Sequence, residues 1–391
     1  MNISSRLFLG LGAVVASVLV ACGGGSDATG SGTMRLALTD APACGYDNVW
    51  VTVEKVRVHK SSSAGPNDSG WSEIVLAAPQ RIDLLEYTNG RVLPLGETQL
   101  PAGTYTQMRL VLASNTGADP IANAIKPTGG GVTALDTPSA QQSGLKANVN
   151  LTVNPDTVAD FVIDFSACKS FVKAGNSGKY LLKPVLSVYP VISSKIVGWV
   201  DTGIAGTAEV SVQSQGDVLR SARPETTAGP NLGRFELAWV PAGSYALVIT
   251  APNRLNAVIT GVSVTAAGTT TIGNNDTGRL TPPAAAASAV VSGTVTPSAD
   301  ADVRALQTLS GGTPVEVAYA GADATDGVYS MTLPRGYLHT APYAAGATSF
   351  VFLPDTTPVD SYALEARSGG TTQLRDITPL LGNRTENFTF P

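Results

Sequence analysis

The segment Asn48-Val49-Trp50-Val51-Thr52-Val53-Glu54-Lys55-Val56-Arg57-Val58-His59 is the clearest strand in this chain. Its first three valines alternate with other residues, and a period of two puts apolar side chains on one face of a β-strand. After Lys55 the apolar positions move by one residue, which is the effect of one extra residue in a strand. The segment therefore predicts a β-strand with a bulge near Glu54 and Lys55.

Shorter runs of the same kind surround this strand and predict an all-β unit over residues 33–193. The run from Met34 to Leu38 alternates before the break at Asp40-Ala41-Pro42. Turns rich in Gly, Pro, Asn and Ser separate the later runs. Those runs cover residues 73–77, 81–85, 104–112, 145–153, 159–165 and 180–189. No long segment combines a helical period of 3.6 residues with end caps.

Two smaller units, residues 194–281 and 288–391, repeat one pattern. Each has a strand, then a Pro-x-Gly turn, then a strand led by tyrosine, at residues 240–245 and 333–337. Proline presets the first corner of such a turn, and glycine permits a positive φ. The fold class that we predict is all-β, with tandem β-sandwich domains, the later two of about 80 to 100 residues.

The composition agrees with folded, turn-rich β structure. The chain has 391 residues, more than one typical domain of about 100 to 200 residues. Charged residues make up 14% and hydrophobic residues 43%, and the chain has 41 Gly and 25 Pro. The formal net charge is −5 and no basic run is visible, so neither nucleic acid nor an anionic lipid surface is an expected partner.

The N-terminus resembles a bacterial lipoprotein signal. Arg6 precedes an apolar stretch, residues 7–20, and Leu19-Val20-Ala21-Cys22 ends it. The resemblance implies that residues 1–21 are removed and that Cys22 carries the lipid, with the Gly/Ser-rich residues 22–32 as a flexible tether. An ordinary signal peptide is the alternative. Gly23 is no retention signal, which in similar Gram-negative lipoproteins implies the outer membrane, facing the periplasm or the cell surface.

The other two cysteines, Cys44 and Cys168, are predicted to form a disulfide bond. An exported protein meets an oxidising compartment, and two remaining cysteines pair most simply with each other. Such a bond would stabilise the fold by about 4 to 5 kcal/mol in the chain-entropy model. Two buried free thiols, or one reactive thiol, are the alternatives.

Residues 33–193 resemble the domain-of-unknown-function 4382 family of bacterial lipoproteins. The resemblance rests on residues 38–46, with their Asp-Ala-Pro turn, on the valine-rich strand, and on residues 100–105. The two later units resemble carboxypeptidase-regulatory or transthyretin-like β-sandwiches, through the openings at residues 198–200 and 292–295 and the Pro-x-Gly turns. The resemblance to regulatory-like modules implies adhesion, scaffolding or accessory roles, and neither family brings catalytic residues.

No catalytic constellation is visible in the sequence. The two histidines, His59 and His339, fall in different predicted units, and no Gly-x-Ser-x-Gly elbow accompanies them. We read both as surface or strand-end residues. Zinc-ligand spacing and phosphate loops are missing as well, and no cofactor is implied. Residues 274–276 and 323–327 could hold a calcium ion, but neither matches an EF-hand loop.

Carboxylates leave one enzymatic alternative open, because glycosidases need only two of them at the right separation. The first unit carries Asp40, Asp47, Glu54, Asp83, Glu86, Asp160 and Asp164. We expect Asp40 to accept backbone hydrogen bonds in an Asx-type turn and Asp164 to face solvent.

Aromatic residues could mark a ligand surface. Trp50 shares a strand face with Thr52, and Trp71 follows a Gly-rich loop, so both are possible ligand contacts. The alternative is that Trp50 packs under a second sheet or against a neighbouring domain. Trp199 and Trp239 are predicted to be core residues of the second unit.

Together these features predict a lipid-anchored cell-envelope protein with a non-catalytic binding, adhesion or scaffolding role. Its partners would be the membrane, through the lipid on Cys22, and a glycan or protein ligand. The alternative is a secreted glycan-active hydrolase, or its carbohydrate-binding accessory module, using carboxylates of the first unit.

Overall fold

The computed structural model describes residues 30–41, 45–137, 143–298 and 301–391, without the side chains of Ala41, Cys168 and Asn176. The regular secondary structure of the described chain is nearly all β, arranged as sandwiches of packed sheets, and this confirms the predicted fold class. Among these residues, no helix has the length and apolar character needed to cross a membrane.

The first unit packs two sheets around one hydrophobic core. Its elements are β1 (Ser31–Ala41), β2 (Tyr46–His59), β3 (Ser72–Asp83), β4 (Leu93–Pro101), β5 (Gly103–Leu112), β6 (Ala124–Pro127), β7 (Thr133–Asp136), β8 (Leu145–Val153), β9 (Val158–Ser166), the single helical turn α1 (Ala167–Ser170), β10 (Phe171–Lys173), β11 (Tyr180–Leu182) and β12 (Leu186–Pro190). One sheet has the order β12-β9-β1-β4, and the other has the order β10-β11-β7-β6-β2-β5-β8 with β3 beside β2. Short 3-10 turns lie at Leu84–Tyr87 and Gly175–Ser177.

The predicted bulge in β2 is confirmed. The register of β2 shifts between Val53 and Lys55 against both β3 and β5. All five valines of the strand are buried in the same core, on both sides of the shift. The extra residue therefore keeps one face of a long strand apolar while the chain twists.

The second unit packs a small sheet against a larger one. Its strands are β13 (Lys195–Trp199), β14 (Glu209–Ser214), β15 (Asp217–Ala222), β16 (Arg234–Ala238), β17 (Gly243–Thr250), β18 (Ala257–Val264) and β19 (Thr269–Ile272). The order β16-β13-β19 faces a sheet that begins β15-β14-β17-β18. Phe235 and Leu237 are buried between them, as predicted.

The third unit is not closed on itself, because it supplies strands to the second. Its strands are β20 (Ala287–Thr296), β21 (Asp302–Thr308), β22 (Pro314–Gly321), β23 (Val328–Arg335), β24 (His339–Pro342), β25 (Leu353–Pro354), β26 (Ala363–Ser368), β27 (Thr371–Asp376), β28 (Arg384–Thr385) and β29 (Phe388–Thr389). Strand β24 pairs in parallel with β18, and β25 follows it at the edge of the same sheet. Val248 and Val258 of the second unit belong to the core of the third.

The Pro-x-Gly turns share a hydrogen bond from a tyrosine. The Tyr105 hydroxyl donates to the carbonyl of Pro101 at 2.8 Å, and the Tyr245 hydroxyl donates to that of Pro241 at 2.9 Å. In the third unit the carbonyl of Pro334 accepts from Tyr362, at 2.6 Å. The recurring sequence pattern thus marks one kind of strand corner.

Candidate functional site: a cleft where the three units meet

Several residues singled out in the sequence lie outside the described part of the chain. These are the signal peptide, Cys22, most of the tether and Cys44. The side chain of Cys168 is also not described. Lipidation and the Cys44 to Cys168 disulfide therefore stay predictions.

Both candidate ligand-contact tryptophans are covered by arginines. The Arg81 guanidinium lies 4.6 Å from the ring centroid of Trp50. Trp71 has Arg57 at 4.6 Å and Arg109 at 5.3 Å from its ring, and its Nε1 donates to the carbonyl of Gly65 at 2.9 Å. A ligand that stacked on either indole would have to displace a cation–π contact. Their role in binding stays a prediction.

The carboxylates of the first unit have separate partners. The Asp160 side chain pairs with Arg35 at 2.8 Å, and that of Asp47 pairs with Lys126 at 3.2 Å. Asp83 accepts from the Asn48 amide at 2.6 Å and caps the following 3-10 turn. Glu54 lies at the bulge, and Glu86 is exposed in that turn.

Asp40 is buried and accepts the backbone N–H of Ala167 at 3.0 Å. This bond joins the end of β1 to the helical turn α1, 127 positions away. The turn that would form an Asx motif includes Pro42 and Ala43, which lie outside the described residues. Asp40 thus has a long-range structural role that sequence spacing does not reveal.

The expected exposure of Asp164 is wrong. Its Oδ1 is buried and has no hydrogen-bond donor among the described residues, although alternation along β9 predicts a solvent-facing side chain. The reason is that this face of the sheet carries the second unit: Arg220 lies over the ring of Tyr189 on the adjacent strand β12, 3.2 Å from its centroid. Burial raises the pKa of Asp164 to about 6, and the charge of Arg220 opposes that rise.

Trp199 and Trp239 are half-buried, so their prediction as core residues is wrong. Strand β16 ends at Ala238, and Trp239 has a φ of 54°. This left-handed backbone conformation takes the tryptophan out of the alternation that buries Phe235 and Leu237.

The two histidines lie at strand ends, far apart in sequence. His59 ends β2, and its ring nitrogens lie near the carbonyls of Ser61 and Ser69. His339 begins β24 and is buried, with Nδ1 3.0 Å from the carbonyl of Tyr337. Within the described residues no group of three or more His, Cys, Asp or Glu side chains is placed to hold a metal ion.

A cleft follows the junction of the three units as a row of adjoining cavities. The largest, of about 340 Å³, shares Glu209 and Thr250 with a cavity of about 100 Å³. That cavity shares Lys169 and Tyr319 with a third of about 190 Å³. We call this row the junction cleft. Ligand sites occur preferentially at such domain junctions.

The end of the larger sheet of the second unit forms one wall of the junction cleft. Glu209 begins β14 and is paired with Thr250 at the end of β17. Arg223 directly follows β15, and Asn256 directly precedes β18. Polar residues on neighbouring strands therefore line up where the sheet ends, and all four line the largest cavity.

A chain of charged side chains crosses the junction and links all three units. Lys169 of the first unit lies 2.6 Å from Glu316 of the third. Arg304 lies 3.4 Å from the same carboxylate, 2.8 Å from Glu365 and 3.1 Å from Asp217 of the second unit. Arg304 and Glu316 are themselves buried. These charges thus lie in a low-dielectric interior, where removing one partner would leave the other as an uncompensated buried charge.

Gln213 adds a neutral link between the second and third units. Its amide donates to the carbonyl of Glu316 and accepts the backbone N–H of the same residue, each at 2.8 Å. The side chain thus replaces one step of a β-ladder between β14 and β22.

The protonation of the junction carboxylates follows from their surroundings. Burial raises the pKa of Glu209, and the neighbouring Glu316 adds to the rise, while Lys169 opposes it. Burial also raises the pKa of Asp302. Glu365 behaves in the opposite way: burial favours its neutral form, but hydrogen bonds from Arg304 and Arg367 hold its pKa below the ordinary value.

Sequence reasoning missed this cleft because its residues come from distant segments. Glu209, Glu316 and Lys169 fall in three predicted units, and only docking brings them together. One sequence signal exists: Glu316, between Val315 and Val317, is a charge in an apolar strand. Chemically, the cleft can bind a polar ligand through guanidinium, amide and hydroxyl groups.

The first unit corresponds to a known family. Residues 31–184 match the family model described as a domain of unknown function, DUF4382, which confirms the resemblance based on the Asp-Ala-Pro turn. No curated protein matches the chain.

Solved structures give only distant likenesses. The Bacillus anthracis TIE protein has 11% identity and a TM-score of 0.16, with 92% of this chain and 51% of that chain covered. This chain therefore spans about half of its length. The major pilin SpaA of Corynebacterium diphtheriae has 10% identity and a TM-score of 0.17, with 92% and 99% covered. A candidate adhesin from Bacteroides ovatus has 9% identity and a TM-score of 0.16, with 52% and 93% covered. Likenesses of this size carry no argument about activity.

Proposed function

We propose that the protein is a lipid-anchored component of a bacterial cell envelope with a non-catalytic binding and scaffolding role. The lipoprotein signal ending at Cys22 and the Gly/Ser-rich tether support the anchor. In this proposal the lipid holds residues 33–391 at an envelope membrane, with the outer membrane favoured by Gly23.

The observation that carries the scaffolding role is the fastening of the three units to one another. Tandem domains joined by linkers alone move independently as a rule. Here Lys169, Glu316, Arg304 and Asp217 link the units through charges, and strand β24 enters the sheet of its neighbour. A chain built in this way presents one rigid surface, which the flexible tether joins to the anchor.

The anchor is tested by the variant Cys22→Ser, produced in a Gram-negative host. The hydroxyl cannot accept the thioether-linked lipid, so we expect the variant to incorporate no labelled palmitate and to keep its signal peptide. Palmitate labelling with immunoblotting measures this, and globomycin treatment should alter processing of the parent protein alone.

Ser26→Ala is the matched control, because it changes a residue of the tether and leaves the predicted lipidation site intact. It should be labelled and processed like the parent. Equal palmitate labelling of Cys22→Ser and parent protein, or no labelling of the parent, would reject lipid anchoring at Cys22.

A further inference from the structure

The largest cavity of the junction cleft has an excess of positive charge. Arg223 and Arg254 line it, and Glu209 is the carboxylate among its lining residues. Lys169, in the adjoining cavity, further offsets the charge of Glu209. The cavity therefore favours an anionic ligand group over a cationic one.

The guanidinium of Arg223 includes a buried hydrogen-bond donor that is not satisfied within the described residues. Its Nε is buried and has no hydrogen-bond partner within the described residues. A buried donor without an acceptor loses the full free energy of its hydration, and charged groups lose most. Because Nε itself is closed to solvent, a ligand would meet the rest of the guanidinium, and an anionic group in the cavity would offset the cost of burying this charge.

The rest of the lining suits hydroxyl groups. Thr250, Ser288 and Thr332 contribute hydroxyls, and Asn253 contributes an amide that is exposed. These groups both donate and accept, as the hydroxyls of a sugar require. The volume of about 340 Å³ is near the lower end of ligand sites, so one ring fits better than a long chain.

We propose that this cavity binds a sugar acid, with its carboxylate on Arg223 and Arg254 and its hydroxyls towards Asn253, Thr250 and Thr332. The inference rests on the proposed binding role and names its ligand class. It also places recognition at the junction, so that the docking of the units creates the site.

The test is isothermal titration calorimetry of the full-length protein with sodium glucuronate, sodium galacturonate, glucose and inorganic phosphate. We expect at least one uronate to bind. Glucose should bind at least about tenfold more weakly, because it lacks the charge-assisted hydrogen bond, and phosphate should bind more weakly than the uronate because it lacks the sugar hydroxyls. Phosphate binding as strong as that of the uronates would overturn the proposal, as would the absence of uronate binding.

Substitutions of the two cavity arginines test whether the ligand binds in this cavity. Arg223→Gln and Arg254→Gln should each weaken uronate binding about tenfold or more. Arg81→Gln, which removes a guanidinium that lines none of the cavities of the junction cleft, should leave it unchanged. Two variants are made so that one still tests the site if the other does not fold, and circular dichroism checks the folding of each. Uronate binding that is unaffected in both folded arginine variants would place the ligand elsewhere and reject the site.

The inference about the cavity and the proposal of a lipid anchor can be rejected independently. Cys22→Ser leaves the cavity intact and should bind the uronate like the parent, whatever its location in the cell. A protein that binds uronates but is not lipidated would keep the inference about the cavity and reject the anchor.

Discussion

Tyr105 and Tyr245 make the same hydrogen bond in different surroundings. Both hydroxyls donate to the proline carbonyl four residues earlier, but Tyr105 is 1% exposed whereas Tyr245 is partly exposed. An acceptor that loses its donor regains water only where water can reach it. We therefore expect Tyr105→Phe to lower the free energy of unfolding by about 1 to 2 kcal/mol and Tyr245→Phe by less than about 0.5 kcal/mol. Urea denaturation measures both, and equal losses would contradict the dependence on burial.

Asp164 is expected to make the stability of the protein depend on pH. Its pKa is raised from 3.8 to about 6 in the fold, so between these values the folded state binds a proton that the unfolded state releases. Stability from this group therefore falls as pH rises from 4 to 6, by about 3 kcal/mol in total. Asp164→Asn has no charge to bury, so relative to the parent it should gain about that amount between pH 4 and pH 7.

Chemical denaturation at pH 4, 5, 6 and 7 checks this difference. Asp160→Asn is the matched control, because it lies on the same strand with a side chain that is 43% exposed and paired with Arg35. If the free energy of unfolding changes with pH in the same way for Asp164→Asn and the parent, the buried Asp164 carboxylate does not lower the stability above its pKa.

The sequence predicts burial correctly for residues whose burial follows from the alternation of their own strand. The valines of β2 follow from alternation, and so does the burial of Phe235 and Leu237. Asp164 could not be predicted, because its surroundings come from Arg220 on another unit, and strand alternation does not show which face of a sheet a neighbour covers.

The C-terminal strands are sensitive to a single methyl group on β20. Strands β28 and β29 run parallel to β20, and a Cβ on Gly293 would overlap the carbonyl oxygen of Glu386. Gly293→Ala should therefore displace this segment and lower the free energy of unfolding by about 1 to 3 kcal/mol. Limited proteolysis with mass spectrometry should show earlier cleavage within residues 382–391.

Gly311→Ala is the control for this prediction, since a Cβ there meets nothing within 4 Å. It should be cleaved like the parent. If Gly293→Ala is cleaved no faster than Gly311→Ala, the close approach of β28 and β29 to β20 is not what holds the C-terminus.

At the scale of elements, pattern and turn chemistry predicted most of the strands of the first unit and the bulge in β2. The placement of β24 could not be predicted in this way. His339–Pro342 follows a Pro-x-Gly turn and reads as a strand of its own unit, but its backbone pairs with β18 of the preceding unit. Backbone pairing partners are chosen by the packing of whole sheets, and a short strand has little side-chain pattern to specify one.

At the scale of the whole molecule, Glu316 is expected to couple the first unit to the third. Removing one member of a buried ion pair costs about 3 to 5 kcal/mol, because the partner charge stays buried. Glu316→Gln keeps the size of the side chain but removes the charge that faces Lys169 and Arg304. We expect scanning calorimetry to show the first unit unfolding in a separate, earlier transition.

Glu73→Gln is the matched control, because Glu73 pairs with Lys55 and Arg57 inside the first unit and is 30% exposed. It should cost about 1 kcal/mol or less and leave the number of transitions unchanged. A calorimetric profile of Glu316→Gln that keeps the parent's number of transitions would show that the ionic chain does not couple the units.

The parallel pairing of β24 with β18 has a consequence for how the chain matures. A polypeptide is made from its N-terminus, and early domains begin to fold before later ones exist. Until residue 342 has emerged, β18 has an open edge, and such edges recruit strands from other chains. For the exported protein that we propose, the second unit therefore keeps an unpaired strand edge until nearly nine-tenths of the chain has crossed the membrane.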